Sequence, residues 1–257
     1  MRVTSFAPSP LLAPFVRSFE VVEASEEVTR VLVPEPSITV GFRFGGASRL
    51  VERDRELHVP DHVITGLRTQ ARCMRTLAGG AILLAKFHAA GAASFFAEPM
   101  HELLGRTLAL EDLVPRADVD RVASRIAEAP SHVQRVAVLE DFLRSRRRPR
   151  AVGGAVLAAV KALQEEPSTV RIAALARELG LSQDALEKCF RRAVGASPKR
   201  LASILRLKQA VAAYQPGMSF SRLAHASGYY DQPHFNRELR AAVGEAPTRF
   251  FGSGTYC

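Results

Sequence analysis

Apolar and polar positions alternate through Ile38-Thr39-Val40-Gly41-Phe42-Arg43-Phe44 and stop at Gly45-Gly46, the period-two pattern of a half-buried strand. Val28, Val31, Leu32 and Val33 precede it and break at Pro34-Glu35-Pro36, and short apolar runs follow at 57–59, 63–65 and 81–87. Short strands at this spacing, separated by Pro, Gly and Asp signals, predict a small barrel or curled sheet rather than βαβ units. After Gly91 the period lengthens. Val119, Val122 and Ile126 stripe one amphipathic helix, and Val133, Val136, Leu139, Glu140 and Leu143 mark another, four of them at the 3-4-3 spacing of one helix face. That helix, around residues 133–143, is a candidate self-association surface, with packing against its own sheet as the equal alternative.

Beyond the run Arg144-Ser145-Arg146-Arg147-Arg148-Pro149-Arg150, which has no apolar period, only helices are expected. Val156, Leu157, Val160 and Leu163 stripe the first, which stops at Pro167. Pro198 opens a long one that runs to about Tyr214 with Ile204, Leu207 and Val211 on its apolar side, proline being well placed at a first helical position. The pattern therefore gives an α+β chain: a β-rich, barrel-like (cupin-like) unit with following helices (1–143), a basic linker (144–153) and an all-α unit (154–257).

The all-α unit repeats itself. Leu175-Ala176, Leu179-Gly180-Leu181, Leu186 and Phe190 are echoed by Leu223-Ala224, Ser227-Gly228-Tyr229, Phe235 and Leu239, and each copy ends five residues later in Gly195-Ala196-Ser197-Pro198 or Gly244-Glu245-Ala246-Pro247. A small alanine lets two helices approach, a glycine past the helix end takes a left-handed conformation cheaply, and an apolar pair four apart defines one buried face. Each copy, over about 171–194 and 219–243, is thus a helix-turn-helix, the unit whose second helix enters a DNA major groove. A plain helical bundle explains neither the order nor the recurrence of these markers.

The opposite faces of the two second helices are then free to read bases. On the first lie Gln183, Asp184, Glu187, Lys188 and Arg191, and on the second Gln232, Pro233, Asn236, Arg237 and Arg240. Arg237 can bond guanine in bidentate fashion, Gln232 or Asn236 can pair with adenine, and Lys188 suits guanine. Asp184 and Glu187 either accept from cytosine N4 or leave the first unit weaker and more selective. Ser182 and Asp231, the expected N-caps, with Gln183, Arg191, Arg192, His234 and Arg240, are candidates for the phosphate backbone.

Charge agrees with double-stranded DNA as the partner. Residues 1–143 carry 16 Lys and Arg against 18 Asp and Glu, whereas residues 144–257 carry 19 against 8. The basic excess belongs to the repeat-bearing part, where phosphate neutralisation would use it. Cys73, Cys189 and Cys257 are too few and too scattered for a disulfide framework or a zinc site. The first residues lack the apolar core of a signal peptide, and the stretch 81–96 is interrupted by Lys86 and His88. A cytoplasmic, nucleoid-associated protein is expected, with no cofactor or metal and no enzymatic activity.

From about Gly154 to Phe251 the chain resembles the DNA-binding domain of the AraC/XylS transcription regulators. The resemblance rests on the repeat markers together with Ser197-Pro198, Arg206, Ala210, the run Gly228-Tyr229-Tyr230-Asp231-Gln232-Pro233-His234-Phe235-Asn236-Arg237, and Gly244, Pro247 and Phe250. Departures are Leu201 where an aromatic is common, Leu239 where phenylalanine is common, and Pro233 where a small polar residue is usual. The resemblance implies seven helices, two reading helices about one DNA turn apart, and base contacts at Asp184, Glu187, Lys188, Gln232, Pro233 and Arg237. It also implies activation through RNA polymerase, although repressors occur. The N-terminal half resembles the family's sensing regions in layout only. A small-molecule effector there is the leading expectation. The alternatives are a cupin-like metal enzyme, for which His58, His62 and His88 are irregularly placed, and a partner-binding or dimerisation module. Cys73, flanked by Arg72 and Arg75, reads as an ordinary half-buried thiol in preference to an activated one.

Overall fold

The computed structural model describes residues 1–52, 55–149 and 152–253, so Arg150 of the arginine run and Cys257 lie outside the described residues. Among the described residues ten strands form two antiparallel sheets. The larger has the order β1 (Arg2–Phe6), β2 (Val16–Ala24), β9 (Gly80–Phe87), β4 (Thr39–Gly45), β7 (His62–Thr65) and β10 (Thr107–Ala109). The smaller has the order β3 (Val28–Leu32), β8 (Arg72–Thr76), β5 (Ser48–Glu52) and β6 (Arg55–His58). The expected barrel is not closed. Each sheet keeps two edges, and the edge strand β6 is four residues long and exposed throughout. Gly45-Gly46 carries the chain from one sheet to the other, Gly46 with φ +53°.

Sheet registers explain which faces are buried. Val40 pairs with Ala85 and Phe42 with Leu83 on the core side of β4 and β9, and Phe19 of β2 pairs with Ala85 from the other flank. Helix α1 (Arg116–Glu128) covers this face with Val119, Val122 and Ile126, as its period predicts. Helix α2 (His132–Ser145) adds Val136, Leu139, Phe142 and Leu143, with the Phe142 ring edge-on to Phe42 at 5.8 Å. Its apolar face is therefore spent inside its own unit, while Val133 stays 66% exposed. Helix α2 also runs two residues into the segment expected as linker.

Part of the arginine run is anchored. Arg148 donates its backbone N–H to Ser94 (2.7 Å) and its Nη1 to the Phe96 carbonyl (2.9 Å), and Arg147 lies over the Phe15 ring. Seven helices follow: α3 (Gly154–Glu165), α4 (Ile172–Glu178), α5 (Gln183–Val194), α6 (Pro198–Ala213), α7 (Phe220–Ala226), α8 (Gln232–Val243) and α9 (Pro247–Ser253).

Their packing is asymmetric. Leu175, Leu186, Phe190 and Val194 of the first helix-turn-helix belong to one continuous apolar cluster with the N-terminal core, from Leu12 to Ile204. Gly195 ends α5 with φ +96°, and a Cβ there would sit 2.9 Å from the Met100 carbonyl oxygen of a 3-10 turn in the N-terminal half. The second unit has its own cluster of Leu207, Leu223, Tyr229, Phe235, Leu239, Phe250 and Phe251. Helix α6 joins the two.

Candidate nucleic-acid interface

Each reading helix is built by local rules legible in its residues. Ser182 caps α5, its hydroxyl accepting from the Ala185 N–H (3.2 Å), and Asp231 caps α8, accepting from the His234 N–H (2.7 Å). Gly180 and Gly228 turn the chain between helices with φ +71° and +72°. Leu186 and Phe190 bury one face of α5, and Phe235 and Leu239 the matching face of α8. Ala176 and Ala224 are fully or almost fully buried where the paired helices meet.

The opposite faces are open. Gln183, Asp184, Lys188, Arg191 and Arg192 are exposed on α5, and Pro233, Arg237 and Arg240 on α8, with Gln232 and His234 half-buried. Ser182 and Asp231 are exposed at the helix N-termini, where unpaired backbone N–H groups and the positive end of the helix dipole favour phosphate. Asn236 departs from the outward set: it is half-buried, and its Oδ1 is covered. Tyr230 is absent from the candidates above, yet it stands 93% exposed beside the Asp231 cap.

The two faces differ in charge. Glu187 is half-buried and accepts from Gln183 Nε2 and Arg191 Nη2, both at 3.1 Å, so α5 neutralises part of its own basic face. On α8 the acid is turned inwards. Glu238 accepts from Ser203 Oγ (3.1 Å) and Arg206 Nη2 (3.2 Å) of α6, and His234 Nε2 lies 3.4 Å away. Arg206 stacks over the Tyr229 ring, 5.2 Å from its centroid. Burial, then the Glu238 carboxylate, pushes the Tyr229 phenol well above its ordinary value, so it stays neutral. This hub fixes α8 on α6 and leaves Arg237 and Arg240 facing outward.

A second site lies between the two sheets. A cavity of about 490 Å3 has apolar walls that include Val22, Leu50, Met74, Ile82 and Leu84. Arg43 lines it with a side chain only 5% exposed; its Nε is 3.4 Å from Asp61 Oδ1, and its buried Nη1 has no hydrogen-bond partner among the described residues. Burial pushes this guanidinium below its ordinary value, and Asp61 offsets part of that. Arg72 also lines the cavity, bonded to Thr107 Oγ1 and the Gly105 carbonyl, and Lys86 pairs with Glu20 at 2.6 Å. Only His58 of the three sequence histidines lines this cavity; His62 bonds Glu111 through Nδ1 (2.8 Å), and His88 lines a separate surface groove. Among the described residues no three His, Cys, Asp or Glu side chains are grouped to hold a metal. Cys73 pairs with Val31 and Val51 in the smaller sheet and is half-buried, and Cys189 donates to the Leu186 carbonyl. No helix among the described residues is long and apolar enough to cross a membrane.

Comparison with known proteins agrees with this geometry. Residues 175–253 match the model of a helix-turn-helix domain, and residues 4–109 match a domain of unknown function, DUF6597. No curated protein sequence matches the chain. Among solved structures, ToxT from Vibrio cholerae superposes over 91% of this chain and 97% of its own, at 11% identity and a TM-score of 0.47. The C-terminal domain of AraT, a response regulator from Geobacillus stearothermophilus, covers 40% of this chain and 87% of its own, at 21% identity and a TM-score of 0.37. A DNA-binding transcriptional dual regulator from Escherichia coli K-12 covers 40% and 99%, at 22% identity and a TM-score of 0.34. The doubled helix-turn-helix and its connecting helix lie where the helix-turn-helix model matches, so residues 175–253 form a helix-turn-helix domain.

Proposed function

We propose that the protein binds DNA at sites of two sequence blocks about one helical turn apart, and that a small organic acid in the inter-sheet cavity controls this binding. The observation that carries the DNA reading is the matched pair of capped helices whose exposed faces present Lys188, Arg191 and Arg192 on α5, and Arg237 and Arg240 on α8. Arg237 and Gln232 are assigned to base edges in the second block, with Pro233 packing against them. Asp184, Glu187 and Lys188 are assigned to the first. Arg192, His234, Arg240 and the two caps are assigned to phosphates, and Asn236 to support of α8 rather than to a base. Contact with RNA polymerase at a promoter is part of the same reading, carried by the resemblance of residues 154–251 to the AraC/XylS DNA-binding domain.

The effector class follows from the cavity. Its volume lies within the roughly 300–1,000 Å3 of small-molecule sites. A guanidinium with a buried, unpaired N–H is costly unless an acceptor meets it, and a carboxylate is the acceptor that fits its fork. ToxT has been solved with an unsaturated fatty acid bound, which is a statement about that protein; for this chain the class rests on Arg43 and the apolar walls around it.

Two experiments test the reading. Selection of bound sequences from a random pool should yield two blocks, and Arg237→Ala should weaken one of them by about 1–3 kcal/mol, the usual worth of a bidentate base contact. Binding that only tracks salt, with no motif, would overturn it. For the effector, a thermal-shift panel should show organic acids raising Tm while the matching alcohols do not, with the acid response absent in Arg43→Gln. Equal responses to acids and alcohols would remove the acid assignment.

A further inference from the structure

The two readers are attached to the sensing half by different chemistry. The first shares its apolar core, as described above. The second keeps a separate core and touches the sensing half through two loops, by polar contacts and by Val33 packed against its cluster. Glu35, between β3 and β4, receives Lys208 Nζ of α6 at 2.7 Å. Ala71, between β7 and β8, donates its backbone N–H to the Ala242 carbonyl in the last turn of α8 at 2.6 Å. The loops also hold each other, since the Arg68 N–H donates to the Glu35 carbonyl and Arg68 Nη2 to the Val33 carbonyl. Both loops are cavity wall: Glu35, Arg68 and Arg72 line the same inter-sheet space as Arg43 and Lys86.

Glu35 is therefore a side chain with one side on the cavity and the other on the DNA-binding half. Its surroundings are crowded with cations. Arg17 Nη1 is 3.1 Å from the Oε1 that Lys208 also reaches, and Lys86 contributes from β9. An anion seated on Arg43 and Lys86 repels the Glu35 carboxylate and competes for its cations, so occupancy of the cavity alters the Glu35–Lys208 pair. The contacts of α5 with the 3-10 turn Met100–Leu103 are by contrast apolar and backbone contacts.

We infer that the Glu35–Lys208 pair and the Ala71–Ala242 hydrogen bond form a latch through which the cavity sets the position of the second reading helix alone, against a first reading helix fixed to the sensing half. This rests on the two-block reading proposed above. The latch touches α8 at its C-terminal end and leaves the exposed face of Arg237 and Arg240 uncovered. It therefore governs the distance and angle between the two readers rather than blocking either. One base pair added between the blocks turns the second by roughly a tenth of a turn relative to the first, a change that a latched α8 cannot follow.

The test uses full-length protein and the two-block DNA obtained by selection, with spacers one base pair shorter and longer. Wild type should lose affinity about tenfold or more for either altered spacer. Glu35→Gln and Lys208→Gln should each lose less than about threefold, while Arg17→Gln, which removes Glu35's other partner without touching α6, should behave as wild type. Hydrogen exchange without DNA should show α8 amides exchanging faster in Glu35→Gln and Lys208→Gln, with α5 amides unchanged. Two variants bear on one pair, so misfolding of either leaves the other decisive. If both keep wild-type spacer discrimination and α8 protection while binding the selected site, the latch is wrong and the two-block reading stands. If selection returns no motif, the two-block reading fails and the latch fails with it.

Discussion

Gly195 meets two demands at one position: a left-handed backbone, φ +96°, and a carbonyl oxygen 2.9 Å from where a Cβ would lie. Gly180 meets only the first, with φ +71° and nothing within 4 Å. Gly180→Ala should accordingly cost about 1–2 kcal/mol, the ordinary penalty for a left-handed L-residue. Gly195→Ala should cost clearly more, because Met100 backbone must also move. Urea unfolding of the two variants side by side checks the order, and equal losses would show that the Met100 contact is soft. The glycine positions are legible in the repeat, but the contact with Met100 is not, because no periodicity relates residues 95 positions apart. Arg43 makes the complementary point. Alternation through β4 correctly puts Val40 and Phe42 on one face and Arg43 on the other. Periodicity says which residues share a face and nothing about what covers it, so a face that reads as solvent turns out to be lined by the smaller sheet.

Elements in the DNA-binding half follow their sequence signals closely because those signals are local. Ser182 and Asp231 cap as expected, and Ser197 and Ser219 cap α6 and α7 in the same way, each accepting a backbone N–H. Ser182→Ala and Asp231→Ala should each lose about 1 kcal/mol of stability, and each should weaken DNA binding at its own block only. Strands were harder to read. Central β2 carries Arg17, Glu20 and Glu23 among its apolar positions, and Glu20 is satisfied by Lys86 across the sheet, a pairing that only the fold creates. Helix α2 has the right period but a different buried face, with Val138 and Phe142 inside and Val133 outside. The contact between α6 and α8 is also tertiary. Glu238→Ala would strand the half-buried Arg206 guanidinium and should destabilise the second helix-turn-helix by about 2 kcal/mol. Loss of α8 protection in hydrogen exchange, with α5 unaffected, is the expected signature; uniform loss over both units would contradict the separation of their cores.

At the scale of the whole molecule, the two-core arrangement makes stability uneven. The first helix-turn-helix should exchange amide hydrogens together with the N-terminal core, and α7 to α9 should open earlier as a separate unit. Glu35 gives the join between them a pH dependence. Burial alone would raise its carboxyl, but the hydrogen bond and charge of Lys208, then the charges of Arg17 and Lys86, outweigh it and hold the group below its ordinary value. A lowered carboxyl contributes stability at pH values above the ordinary carboxylate range and loses it as pH falls through the lowered value. Wild type should thus exceed Glu35→Gln in stability at neutral pH, and the gap should close in acid. A gap that persists or widens in acid would reverse the sign of the argument.

The unequal charge of the two reading faces also bears on how the protein finds its sites. Helix α8 offers Arg237 and Arg240 with its acid turned inwards, and can ride any stretch of phosphate. Helix α5 mixes exposed Asp184 and the Glu187–Arg191 pair with Lys188 and Arg192, so its face is less uniformly basic. In the proposed DNA reading, travel and verification would then fall to different helices, α8 holding the duplex by its charge and α5 adding selectivity through its acids.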